Sequence, residues 1–543
     1  MRAAGFASLD ISCKRVGSTF FSDNLADNNW DLSDGITWAH GAHTFKFGGD
    51  ARLSQFNVTQ FIDPGATINF RNEQTSLAGA NNTGWPIASL ITGATEWSFV
   101  NYHGVQPSWK QWYPAMFAND DWKVTRKLTL NLGLRYELPF PRTDRNDRLR
   151  GFDPNVTNPI TGTRGALVSA NATGALKAAD PGMVPLDTSD IAPRVGFAYA
   201  VSNTMAVRGG YGIYYSPLIY GFGGGNSITE GFLGYNTTDI RTPLDKGDPN
   251  TSAYFLSSFP AHTPIDPTGQ FIGSDVQYFD PNYRTGRTQQ WSLDIQQEFP
   301  GNFALLIGYI GSHGTRLRSD FTRLNALPLN DLKLGAPLLQ KNLSDVTASD
   351  RSYASSVGVT IPAAPPFATF TGSVAQAIRP FPQYGRVTNL LESRGASKYN
   401  ALNAKLTRRF TQGFQFGFSY TWSKLETNAA EDLFGGSPIT GVVQNPFDLR
   451  SLWSVSPNSA THVGVFNYIW ELPFGKGKPF LNHGGIANVM ARNKMTAASA
   501  GAAGMPNAVS PPVSAASWTP MPPGTGATFP TMPAPTCTTT SWA

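Results

Sequence analysis

Phe414-Gln415-Phe416-Gly417-Phe418-Ser419-Tyr420-Thr421-Trp422 carries an aromatic ring at every even position and a small or polar residue at every odd one. Successive side chains of an extended strand point to opposite faces, so this stretch is a strand with a wall of aromatics on one side. Leu402-Asn403-Ala404-Lys405-Leu406-Thr407 alternates in the same way, and Thr411-Gln412-Gly413 supplies a short Gly-containing turn between the two. Runs joined so closely pair antiparallel, as a hairpin.

The same period recurs along the chain. Leu128 to Tyr136, Phe45 to Leu53, Val207 to Tyr215, Trp291 to Ile295 and Phe303 to Tyr309 all alternate, the last two around Pro300-Gly301-Asn302. A soluble sandwich also alternates, so the period alone does not fix the class. Three further features favour a barrel in a membrane. Apolar faces end in Tyr136, Tyr215, Tyr309, Trp422 and Trp470, residues that suit a lipid–water boundary. The opposite faces hold Lys, Arg, Asp, Asn and Gln, which suits a wet lumen. Short turns alternate with long segments lacking a clear pattern, at 54–112, 140–190, 216–286, 318–398 and 426–460. Soluble domains seldom carry several such loops. The expected fold is therefore all-β: a large antiparallel transmembrane β-barrel of outer-membrane type.

Composition agrees. Charged residues are only 15% of the 543, against roughly 25% in a soluble domain, and 54 Gly with 40 Pro suit turns better than helices. The net charge of +5 has no dense basic block behind it, so no nucleic-acid partner is expected. Cys13 and Cys537 lie near opposite ends, without metal-ligand spacing or a disulfide framework. No apolar run reaches the length of a transmembrane helix. Met1 to Arg15 lacks a signal-peptide core, and Asp10 stands where a lipoprotein signal needs an apolar residue. For an exported barrel this implies a signal peptide lost with the true N-terminus.

Tyr136-Glu137-Leu138-Pro139-Phe140-Pro141 and Trp470-Glu471-Leu472-Pro473-Phe474-Gly475 echo each other, and both read as strand ends at the membrane interface. After about Val489 the text turns to Ala, Pro, Met, Ser, Thr and Gly without period. Residues 1–489 are read as a partial barrel, and 490–543 as a low-complexity tail, disordered or out of frame.

Catalytic chemistry finds no footing, and no cofactor is expected. His40 and His43 stand three apart with no further ligand beside them, and read as surface histidines, not a metal site. Gly221 to Gly225 misses a dinucleotide fingerprint because Asn226 falls at the last Gly position. Asp120-Asp121 is an unremarkable acidic pair. Arg52, Arg135, Lys405 and Arg409 fall on lumen faces as solvated or salt-bridged residues, or as the lining of a solute path.

Several stretches resemble a known family. Phe117-Ala118-Asn119-Asp120-Asp121-Trp122-Lys123-Val124, followed by Leu128-Thr129-Leu130-Asn131-Leu132-Gly133-Leu134-Arg135-Tyr136-Glu137, is similar to the hallmark segment of TonB-dependent receptors, with Asn119 where Gln is usual. Gly41 to Gly49 resembles the strand before it. The Oar-like subgroup is suggested by Pro193 to Tyr199, Arg208 to Tyr215, Gln290 to Leu293, Gly308 to Gly314, Tyr399 to Leu402, Ser419 to Lys424 and Leu472 to Gly477. The resemblance implies a parent barrel of about 22 strands around a plug domain, in the cell outer membrane among its lipid. It also implies uptake of a bulky solute, as yet unidentified, powered by the TonB complex. The plug and TonB box have no counterpart here, so the chain is expected to be an incomplete barrel. Two rivals stand beside this reading: a passive porin or surface adhesin barrel, and a secreted β-rich carbohydrate-binding protein.

Overall fold

The computed structural model describes most residues from 8 to 504. Residues 505–543 lie outside it, as do 217–230, 242–250, 259–267, 430–447, 481–495 and several shorter stretches. Cys13, Cys537 and the Gly221–Asn226 run fall outside the described residues.

One sheet organises the chain. Its eleven long strands are β1 (Phe21–His40), β2 (His43–Ile62), β3 (Ser108–Trp122), β4 (Leu128–Glu137), β5 (Ile191–Ala200), β6 (Met205–Ser216), β7 (Gly286–Phe299), β8 (Phe303–Ser319), β9 (Glu392–Thr411), β10 (Phe414–Thr427) and β11 (His462–Glu471). Each pairs antiparallel with the next in chain order. Four short strands complete a 15-stranded sheet: Thr143–Asp144 on β3, Ser454–Val455 on β10, and Thr496–Ala497 and Gly501–Gly504 on β11. The alternating stretches of the sequence all fall in long strands, and the hairpin read from Leu402 to Trp422 is β9–β10, with Leu402 opposite Trp422 and Leu406 opposite Phe418.

Turn chemistry closes the hairpins at one end. Gln412 and Gly413 both have positive φ (53° and 78°), the backbone that a two-residue hairpin turn requires for its twist to match the strands. Gly301 and Asn302 do the same between β7 and β8 (84° and 65°). All the long connections lie at the opposite end of the strands.

The strands are longer than their alternation suggested. β2 continues nine residues past Leu53, and β3 starts at Ser108 inside what reads as loop. At ~3.4 Å per residue a 20-residue strand is ~68 Å long, well beyond the ~25 Å apolar band of a barrel even when tilted. The surplus projects at the long-loop end, where Phe56 of β2 and Trp109 of β3 pack with Leu149 and Phe232 of the loops.

These loops fold into a crown. Strands Arg150–Thr157, Arg164–Ser169, Val276–Tyr278 and Val387–Asn389 form a four-stranded sheet over a core of Phe152, Leu167, Val276, Phe381, Tyr384 and Val387. Short helices at Gly335–Gln340, Ala348–Ser356 and Val374–Ala377 bury Leu338, Ala354 and Val374 in a second core. Buried polar side chains stitch the pieces together. Gln270 acts as a strand partner to Leu167, accepting from its N–H and donating to its carbonyl (3.0 and 3.1 Å). Asn325 donates to the carbonyls of Phe381, Tyr384 and Gly385 and accepts from the Phe381 N–H.

The wall itself is inverted relative to a soluble protein. Its large apolar side chains face outward and are exposed: Trp30 (68%), Leu32 (76%) and Ile36 (70%) on β1, with Leu134, Leu293 and Ile307 farther along. Register gathers them on one face, as in the row Leu305–Leu406–Phe418–Phe466 across β8 to β11. A soluble monomer rarely exposes an apolar patch beyond a few hundred Å². A face of this extent is the pattern of an outer-membrane barrel wall. Aromatics mark both borders: Trp38, Trp122 and Trp470 at the short-turn end, and Tyr136 and Tyr215 at the loop end. The two tyrosine hydroxyls donate to the carbonyls of Thr188 and Ile191. The Glu-Leu-Pro-Phe echoes follow strand ends as expected, but at opposite borders: Glu137 closes β4 at the loop end, and Glu471 closes β11 at the turn end.

Candidate functional site

Period two places every second residue of each strand on the inner face, and there the charges pair across strands. Arg135 of β4 grips Asp50 of β2 with two hydrogen bonds (2.7 and 3.0 Å) and reaches Glu137 at 2.8 Å, while Tyr113 of β3 donates to Glu137 at 2.5 Å. Arg52 meets Asp31 at 2.7 Å, Lys46 meets Asp121 at 3.0 Å, and Arg409 meets Glu298 at 3.0 Å. Lys405 stands on the same face between Leu306 and Ser419. The four cations singled out in the sequence therefore share the inner face, and three of them hold carboxylates. Exposed pairs of this kind are worth about 0–1 kcal/mol each; their role is to set the field of the wall.

Adjacent Asp120 and Asp121 point to opposite faces. Asp121 looks inward and accepts from Lys46 and Asn131 (3.0 and 2.7 Å). Asp120 looks outward at the turn end, where it accepts from or pairs with His43 Nδ1 at 2.7 Å. The His43 ring stacks between Phe45 and Trp122, so it belongs to the aromatic border. His40, opposite His43 across the turn, stacks on Trp38.

Between the paired charges lies a concavity of about 610 Å³ on the inner face of β2 to β8. Glycine makes its floor: Gly133, Gly196, Gly210 and Gly212 present no side chain there. Lys46, Asp121, Asn131, Arg194, Gln290 and Asp294 rise around it. Alternation alone did not single out Arg194, Tyr214, Gln290 and Asp294. What it missed was legible as Gly and polar residues sharing one parity, in Arg194/Gly196 and Gly210/Gly212; their convergence across strands was not. The Arg194 guanidinium lies over the Tyr214 ring, 4.7 Å from its centroid.

A smaller hollow of about 280 Å³ sits in the crown, walled by Asp153, Asp180, Met183, Tyr278 and Phe279 among others. Nearby, at the seam between crown and wall, carboxylates are tuned in opposite directions. Burial pushes Asp187 up, but the Ser189 hydroxyl and the N–H groups of Ser189 and Thr285 outweigh it and hold the carboxyl below its ordinary range. Asp190 is fully buried, and burial pushes it up to about 6; Asp187 and Glu137 add to the rise, against the Thr285 hydroxyl and Arg316.

Comparison with known proteins places this geometry. The family profile for the outer membrane beta barrel domain matches residues 2–527. No curated protein matches the chain. Among solved structures, similarity extends to the outer membrane transporter YddB from Escherichia coli (TM-score 0.42, 10% identity, covering 86% of this chain and 44% of that one). It extends also to the alcaligin receptor FauA from Bordetella pertussis (0.34, 9%, 84% and 44%) and the ferric yersiniabactin uptake receptor FyuA from Yersinia pestis (0.34, 8%, 85% and 43%). The chain spans less than half the length of each.

Proposed function

Since the chain belongs to the outer membrane beta barrel domain family, we propose that it forms the barrel wall of a TonB-dependent outer-membrane transporter or receptor that takes up a bulky solute. The observation that carries the reading is the two-faced sheet, apolar and exposed outside, polar and charge-paired inside, with every long connection at one end. Lipid is its outer partner. The stretches Phe117–Val124 and Leu128–Glu137, which resemble the hallmark of TonB-dependent receptors, are the adjoining strands β3 and β4 and the turn between them. The resemblance of the later motifs to the Oar-like subgroup supports a parent of that kind, larger than this chain. No catalytic role is assigned: Asp31, Asp50, Asp121, Glu137 and Glu298 of the inner face stand in ion pairs rather than beside a reacting group.

Transport separates this reading from its rival. Cells carrying the gene at its own locus accumulate the parent's solute only while TonB and the inner-membrane proton gradient are intact. Uptake that survives deletion of TonB, together with swelling of liposomes holding the purified protein, would mean a passive porin instead. Recovery of the protein as a detergent-independent soluble species would sink the membrane reading altogether.

A further inference from the structure

Many inner-wall charges pair across strands, but Arg194 and Asp294, beside the glycine-floored concavity, do not. Arg194 of β5 has no carboxylate within 4 Å among the described residues, and its guanidinium rests over the Tyr214 ring. A guanidinium held against an aromatic face keeps its N–H edge available for a carboxylate, in a planar two-bond geometry that suits Arg. Asp294 of β7 likewise has no cation within 4 Å among the described residues. Its carboxylate lies over Gly308 on β8, so close that a Cβ there would sit 2.0 Å from its Oδ1. That turns it away from Arg208, its register partner on the other side, in β6. The concavity thus offers one cation and one anion, neither in an ion pair, across a glycine floor on which the Tyr214 ring covers Gly212 and Asn119 covers Gly133.

Register sets their separation. Arg194 is opposite Gly212 and, beyond it, Gln290, whereas Asp294 is opposite Arg208 and, beyond it, Ala198. The two therefore differ by four residues along the strands and two strands across. At ~3.4 Å per residue and ~4.8 Å per strand their Cα atoms stand roughly 17 Å apart. The Arg194 guanidinium leans toward β6, over Tyr214, and the Asp294 carboxylate leans the other way, over Gly308 of β8; an extended chain covers about 3.3–3.6 Å per residue. A zwitterion of about four amino acids fits. Gln290 and Ser292 of β7, at heights from Arg194 to Asp294, are donors and acceptors of the kind that a peptide backbone uses.

We propose that this concavity binds a short extended peptide, its carboxylate on Arg194 and its amino group on Asp294. The proposal deepens the uptake reading and rests on the inner face being the solute's side of the wall.

The test uses the full chain folded in detergent micelles, with folding checked for every variant by heat-modifiable gel migration, and isothermal titration with tetra-alanine. Wild type binds tetra-alanine and binds dialanine more weakly. Arg194→Gln weakens tetra-alanine by about tenfold or more, the scale of one charge-assisted hydrogen bond, yet leaves the affinity for C-terminally amidated tetra-alanine unchanged. Asp294→Asn weakens tetra-alanine similarly but leaves the N-acetylated form unchanged. Arg208→Gln, outside the concavity, alters neither. Absence of tetra-alanine binding, or equal binding by wild type and both variants, overturns the peptide site even where TonB-driven uptake is observed. Binding with this pattern of losses upholds the site even where uptake fails, and in that case only the transport reading falls.

Discussion

Glycine in these strands stands where a partner's side chain lies flat. Directly across the ladder, Trp291 covers Gly311, Asp294 covers Gly308, Phe117 covers Gly48, Phe197 covers Gly209 and Asn467 covers Gly417. Any Cβ at Gly311 would meet the Trp291 ring at 2.2 Å, so a larger residue must push that indole off the wall. Overpacking of this type costs about 1–3 kcal/mol. We expect Gly311→Val to lower the unfolding midpoint in urea by that much and to shift the Trp emission. In the double variant with Trp291→Ala, the Gly311→Val change is expected to cost far less. An unchanged midpoint in the single variant would mean that the ring does not lie over the glycine. In the sequence these glycines look like strand breakers; their positions become intelligible only beside the residues opposite.

At the scale of elements, the seam between wall and crown carries a pH dependence. Asp190 immediately precedes β5, and its carbonyl accepts from the Glu137 N–H at the end of β4 (3.0 Å). Its carboxyl is raised to about 6 by burial, from an ordinary 3.8. A raised acid favours the protonated form in the folded state, so its contribution to stability is fully present below 3.8 and is lost as pH rises through about 6. Asp187, held low, works in the opposite sense and loses its contribution only as the solution is acidified below the ordinary carboxylate range. The unfolding midpoint of the seam is therefore expected to fall between pH 4 and pH 7. Asp190→Asn should flatten that window, and hydrogen exchange at Ser189–Ala192 across the range reads it. Slower exchange at pH 7 than at pH 5, after correction for the intrinsic rate, would contradict the assignment. The crown elements around the seam were not legible in the sequence, where 140–190 and 318–398 read as patternless. Their strands are three to eight residues long, and their cores draw on segments hundreds of residues apart, as with Phe152 against Phe381. A local window holds no such signal.

For the whole molecule, the two faces of the wall predict opposite responses to the same charge. Leu293→Arg places a cation on the outer apolar face, and Ser419→Arg places one on the inner face beside Lys405. In liposomes the first is expected to cost about 2–4 kcal/mol near mid-depth, and the second close to nothing. Equal costs, or a larger cost for Ser419→Arg, would mean that the faces are assigned the wrong way round. The same geometry locates the buried core. Among the described residues, the large buried apolar side chains gather in the crown and at the upper strand ends, and the spanning strands bury chiefly small ones such as Ala115, Ala192 and Ala401. In the spanning wall, lipid does the work that a core does in water.

What the sequence determined by itself was the class, the strand faces and the hairpins. These rest on a period of two and on turn residues within a few positions of each other, so Phe414 to Trp422 and Gln412-Gly413 specified β9–β10 unaided. Arg52, Arg135, Lys405 and Arg409 could likewise be placed on the inner side from parity. Only the tertiary structure decided which charges meet, that Asp120 and His43 join at the outer border, and that Arg194 and Asp294 are left unpaired over glycine. Partners on neighbouring strands are fixed by register between segments as far apart as Asp50 and Arg135, 85 residues along the chain. Parity assigns a side chain to a face; only the paired ladder sets its height on that face and its neighbour.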